Sequence, residues 1–229
     1  MLAGFSFIIT ILSYAGAKIL YRKKQSVFLS PLVICPFILI SLLLSFHVSL
    51  ETYSAGTQWI TNMLQPAIVA FAVPLYKYRA LLKKYALEIA LGVLGGSIIA
   101  IVSSVMYGKL FHLTPQLLDS LAPRSITTPI AMNISQTIGG LPAMTASFVI
   151  VTGIVGIFAG PFILKWLPIH HQVSKGMLLG MGAHGAGTAQ AYEIGSIEGA
   201  IASLTMIVAG IITIMVAPIL VPILVPIII

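Results

Sequence analysis

Residues 124–140 read RSITTPIAMNISQTIGG, and residues 180–195 read GMGAHGAGTAQAYEIG. Both stretches lie deep in an apolar chain, yet each crowds polar side chains around glycine and proline. A lipid-facing helix does not look like this. The hydrocarbon core penalises unpaired backbone groups and polar side chains, so broken polar helices persist only where protein or a watery cavity surrounds them. Discontinuous elements of this kind are the usual mark of a solute or ion site in a membrane carrier.

The rest of the chain agrees with a membrane setting. Its 229 residues are 59% hydrophobic and 7% charged, with a mean hydropathy of +1.08. Soluble domains carry about 25% charged residues. The polar loops are too short for a separate soluble domain, so residues 1–229 read as one membrane domain. The net charge of +7 sits in short loops such as RKK (22–24) and KYRALLKK (77–84), as the positive-inside rule expects. No basic patch carries interleaved base-stacking residues, so nucleic acid is not an expected partner. A lone cysteine, Cys35, excludes an intramolecular disulfide and a cysteine metal site. No basic leader precedes the first apolar stretch and no clear small-residue cleavage site follows it, so it reads as an uncleaved span.

A span needs about 20 mostly apolar residues. Candidates are 2–20, 28–50, a stretch within 52–76 interrupted by Pro66 and Pro74, 85–108, 143–164, and 199 to about 220. Pro218, Pro222 and Pro226 are expected to end regular helix. HLTPQLLDSLAPR (112–124) reads as a short surface helix. Residues 125–140, broken by Pro129 and closed by Gly139 and Gly140, read as a half-helix or re-entrant segment. Residues 172–195 form a second broken element, with Gly182, Gly185 and Gly187 among its glycines. The expected fold is therefore all-α and polytopic, with about six to eight membrane elements, two of them discontinuous. Placing the N-terminus outside puts ten of the twelve Lys and Arg residues at the cytoplasmic face. Whether 176–194 crosses or dips and returns stays open. A loose inverted repeat pairs PAIVAFAVPLYK (66–77) and its following span with RSITTPIAM (124–132) and its following span.

Arg124 is the sharpest single candidate. It precedes a polar half-helix whose N-terminus supplies free N–H groups, and together these make an anion site, such as a carboxylate clamp. The alternative is a headgroup anchor at the outer face. Thr127, Thr128, Asn133 and Gln136 follow, able to hydrogen-bond an organic acid or to glue helices. Pro129 has no N–H and is expected to free the Ser125 carbonyl. His184 sits among glycines, suited to proton coupling or to capping freed carbonyls. Gln190 and Glu193 lie further along; Glu193 is a coupling or gating candidate or a marker of the outer surface. There is no catalytic triad, HExxH motif or usefully spaced carboxylate pair, and GAHGAG lacks the strand and lysine of a nucleotide loop. Neither an enzyme nor a metal or cofactor site is expected. Glycine-patterned helices point to homo-oligomer packing.

Three segments carry a family resemblance: residues 124–161 (RSITTPIAMNISQTIGGLPAMTASFVIVTGIVGIFAGP), 175–195 (KGMLLGMGAHGAGTAQAYEIG) and the 66–77 stretch. In this order they strongly resemble the LrgB/CidB family of bacterial membrane proteins, over nearly the whole chain. The resemblance implies a multi-pass protein of the bacterial inner membrane, paired with a small LrgA/CidA-type membrane protein. It implies two functions. One is a holin- or antiholin-like role in murein hydrolase export and autolysis. The other is transport, since the plant plastid glycolate/glycerate transporter resembles a fusion of the two components and bacterial pairs are linked to pyruvate movement. Ordered polar half-helices suit a small monocarboxylate carrier better than a pore former.

Overall fold

A computed structural model describes residues 2–24, 26–63, 66, 69–70 and 72–228. Helices dominate, and no strand occurs among the described residues. The chain divides into two compact units, Met1–Ala70 and Phe71–Ile229. Among the described residues, four helical stretches are long and apolar enough to cross a membrane: Gly4–Lys23, Ala86–Leu110, Pro142–Trp166 and Ser196–Ile227. The protein is a multi-pass, all-α membrane protein.

Among the described residues of the first unit, three α-helices can be bounded. α1 (Leu2–Lys23) ends on Arg22 and Lys23, cations that suit the negative end of a helix. α2 (Pro31–Ser45) starts at a Ser-Pro pair, and α3 (Leu50–Asn62) starts where Ser49 Oγ accepts the Thr52 N–H at 3.2 Å. Thr10 and Tyr53 share a hydroxyl hydrogen bond of 2.9 Å that ties α1 to α3. The span expected over 28–50 is thus cut short. α2 has 15 residues, roughly 22 Å of helix, below the roughly 30 Å of a hydrocarbon core. His47, at φ 51°, turns the chain before α3 begins. The span expected within 52–76 appears as α3 in its polar first half. Residues 64, 65, 67, 68 and 71 of that stretch lie outside the described residues.

The second unit contains α4 (Ala72–Lys77), α5 (Arg79–Lys84), α6 (Ala86–Leu110), α7 (Pro115–Leu121), α8 (Thr128–Ile138), α9 (Pro142–Trp166), α10 (Gln172–Ile194) and α11 (Ser196–Ile228). α10 is not straight. His184 takes φ 40° and ψ −117°, and there the chain reverses. Eight residues of straight helix span about 12 Å. Yet a Cβ on Gly187 would collide with the main-chain carbonyl of Leu179. Residues 172–183 and 185–194 are therefore the two arms of a re-entrant hairpin. α11 then runs beside the first arm. A Cβ on Gly176 would meet the Glu198 carbonyl at 2.6 Å, and one on Gly180 would meet Ala202 backbone. Only glycine permits these approaches.

α7 and α8 form a second hairpin. Pro115 opens α7 at its first position, and Gly139, at φ 99°, closes α8 with Gly140 N–H donating to the Ser135 carbonyl at 2.8 Å. A buried hydroxyl cluster ties this hairpin's base to α9. Thr145 Oγ1 lies 3.0 Å from the Ser120 carbonyl, 2.7 Å from Ser135 Oγ and 3.1 Å from the Leu141 carbonyl. Ser120 Oγ accepts the Leu141 N–H at 2.7 Å.

α6 acts as a ruler for both hairpins. From its C-terminal end inward, Gly108 packs on Leu118, Ser104 meets Arg124, and Ser97 and Ile101 share a narrow space with Ser125 and Ile126. Further on, Gly96 and Gly92 meet Met181 and Met177 of the other hairpin. The hairpins enter from opposite ends and meet head to head. α9 and α11 cross beside them in opposite directions: Thr145, Gly156 and Gly160 of α9 touch first one hairpin and then the other. The repeat expected through residues 66–77 falls on a stretch that is only partly described.

The last helix departs from expectation. Pro218, Pro222 and Pro226 do not end it; α11 continues for 33 residues. Spaced by four, the prolines share one face. In apolar surroundings any alternative to helix strands more backbone groups than the single N–H each proline lacks.

Candidate functional site

The two hairpin tips build the site. In the first, residues 122–127 turn between α7 and α8, and Thr127 caps α8. Arg124, in this turn, is half-buried and precedes the helix start. Its Nε donates to Ser104 Oγ at 2.9 Å and its Nη1 to Thr152 Oγ1 at 3.4 Å. Those hydroxyls are themselves oriented, donating to the Ala100 carbonyl at 2.6 Å and the Phe148 carbonyl at 2.8 Å. No carboxylate pairs with Arg124 among the described residues. A guanidinium has five N–H donors, so three remain unused.

In the second tip, His184 is 4% exposed, its ring faces the Arg124 main chain, and its Nε2 has no hydrogen-bond partner among the described residues. A non-glycine residue at φ 40° is strained by about 1–3 kcal/mol, and such strain concentrates at functional sites. α8 and the second arm of α10 both begin at the tips, so two positive helix ends converge beside Arg124. Next to them lies a cavity of about 430 Å³, lined by Arg124, Thr152, Phe148, Val155, Gly182 and Ala183 among others.

The other expected residues distribute unevenly. Thr127 Oγ1 is buried at the tip without a partner. Thr128, beside it, is partly buried. Asn133 and Gln136 are exposed on α8, away from Arg124. Pro129 occupies the second helical position, where its N–H would lack an intrahelical acceptor anyway, so it frees no carbonyl. Gln190 donates to the Ile157 carbonyl at 3.2 Å, and its Oε1 is buried without a partner. Glu193 is exposed, nine residues or about 13 Å of helix beyond His184. The backbone break falls on His184, not on Gly182 or Gly185, both of which have open space around them. Sequence reasoning missed Ser104 and Thr152, which hold Arg124. Hydroxyls inside apolar helices usually bond their own preceding turn, so nothing in the sequence marks these two.

Comparison with known proteins places this architecture. A sequence model described as the LrgB-like family matches residues 10–223, across both units. The chain is 50% identical over 213 residues to the uncharacterised protein YwbG of Bacillus subtilis (strain 168), covering 93% of this chain and 95% of that one. It is 35% identical over 212 residues to YxaC of the same organism, covering 93% and 92%. It is 34% identical over 215 residues to the antiholin-like protein LrgB of Bacillus mycoides (strain KBAB4), covering 93% and 94%. No solved structure matches the chain.

Proposed function

The chain belongs to the LrgB-like family, and we propose that within it this protein carries a small monocarboxylate across the bacterial inner membrane. One observation carries the reading. Arg124 lies between two opposed hairpin tips, with three unused N–H donors and no carboxylate partner among the described residues. A cation removed from water needs an anion, and here two helix starts add to its field. The guanidinium binds the carboxylate in a fork, Ser104 and Thr152 hold the guanidinium still, and Thr127 lends a hydroxyl at the helix cap. His184, at the strained apex, gates the passage or moves a proton through its unpaired Nε2. The whole chain acts as one membrane domain with its N-terminus outside, alongside an LrgA/CidA-type partner and as a homo-oligomer.

The test is uptake of labelled pyruvate and glycolate into vesicles, for wild type and Arg124→Ala, with and without an LrgA-type partner. Saturable uptake lost in the variant supports a carrier. No saturable uptake in any condition, with both proteins inserted, rejects it.

The names of several relatives favour a second reading, an antiholin-like regulator. That role rests on helix surfaces and not on the tips, so it survives Arg124→Ala.

A further inference from the structure

The cavity beside Arg124 says more about the anion than its charge. Resting on the carrier reading, we propose that the site prefers a monocarboxylate with an apolar tail of about four carbons over a short hydroxylated acid, and that Gly182 sets the length of that tail.

The lining carries one cation, Arg124, and one side-chain hydroxyl, Thr152, already committed to Arg124 and to the Phe148 carbonyl. The remaining wall is apolar side chain or glycine, with Phe148, Leu121, Ile163, Leu178 and Leu179 the bulkiest parts. A carboxylate finds its partner there. A further hydroxyl or a second carboxylate enters without one, and a buried polar group without a partner is costly. At about 430 Å³ the cavity, half-open with Val151 and Val155 exposed on its wall, has room well beyond a three-carbon acid.

Three glycines line this space, and they are not equivalent. A Cβ on Gly156 would collide with Ala183, and one on Gly160 would press on Leu179 at 2.7 Å and Gln190 at 2.9 Å. These two serve helix packing. A Cβ on Gly182 meets nothing within 4 Å, and its backbone lies outside the left-handed region. Of the three, only Gly182, itself exposed on the cavity wall, can take a side chain without disturbing a neighbour, and in this proposal that side chain takes up room the tail uses.

Proteoliposomes holding the full chain and its LrgA-type partner are given labelled glycolate, pyruvate, 2-oxobutyrate or 4-methyl-2-oxopentanoate on the outside, and uptake is followed. Wild type is expected to handle 4-methyl-2-oxopentanoate about tenfold better than glycolate in kcat/KM. Gly182→Leu is expected to lower uptake of the longest acid about tenfold while pyruvate changes less than about twofold. Gly182→Ala, the gentler variant, is expected to shift the same ratio in the same direction by about threefold. Glycolate handled as well as the longest acid, or a length preference unmoved by both variants, overturns the inference while leaving a carrier in place. No saturable uptake of any acid overturns the inference and the carrier reading together.

Discussion

Gly187 rests against the main-chain carbonyl of Leu179, so close that no Cβ fits between them. Residues eight apart meet only because the chain turns back at His184. Gly187→Ala is expected to cost about 3 kcal/mol, since backbone, unlike a side-chain tip, cannot give way. Thermal unfolding in detergent checks this. Gly185→Ala, at a position with open space, stays within about 1 kcal/mol of wild type.

Arg124→Ala abolishes saturable anion uptake, and Arg124→Lys restores only part of it. A lysine keeps the charge but loses the fork that engages a carboxylate bidentately while Nε stays on Ser104. The expected loss is at least about tenfold in kcat/KM for lysine. Equal rates for lysine and arginine sink the clamp.

His184→Gly separates strain from function. Glycine adopts φ 40° without penalty, which offsets part of the cost of about 2–4 kcal/mol for emptying a buried site, so the variant is expected to be more stable than His184→Ala. Transport is expected to fall, because the imidazole is gone. A glycine variant no more stable than the alanine variant, with unchanged uptake, contradicts both halves.

Thr145→Val keeps the shape of a fully buried side chain and removes the hydroxyl that meets Ser120, Ser135 and Leu141. The expected cost is about 1–3 kcal/mol, read as a lower melting temperature in detergent. Thr137→Val, on the exposed face of α8, serves as the neutral comparison.

Both broken elements were legible from residue type alone. Proline and glycine among polar groups cannot form a lipid-facing helix, and residues 125–140 became one arm of the α7–α8 hairpin while 172–195 became both arms of the other. The depth of Arg124 was not legible. Its burial depends on Ser104, twenty residues earlier, and Thr152, twenty-eight later, and no local pattern records such a meeting. Asn133 and Gln136 misled for a related reason. They share the polar stretch but lie on the α8 face opposite the buried Ala131, Ile134 and Ser135, and helix phase against a distant neighbour is invisible in a short segment. The prolines of α11 misled because rules drawn from soluble helices assume that water stands ready for a stranded carbonyl.

The glycine contacts of α10 also dictate an order of synthesis. Gly176 and Gly180 seat on Glu198, Ile201 and Ala202, all of which leave the ribosome after the hairpin they support. Until Ser196–Ile228 has been made and inserted, the hairpin has no wall for those faces, and its polar apex is not stable in lipid. Its final fold is therefore a late event, completed after translation of the last helix. A chain stopped after Gly195 should leave residues 172–194 open to protease in vesicles, while the full-length chain protects them.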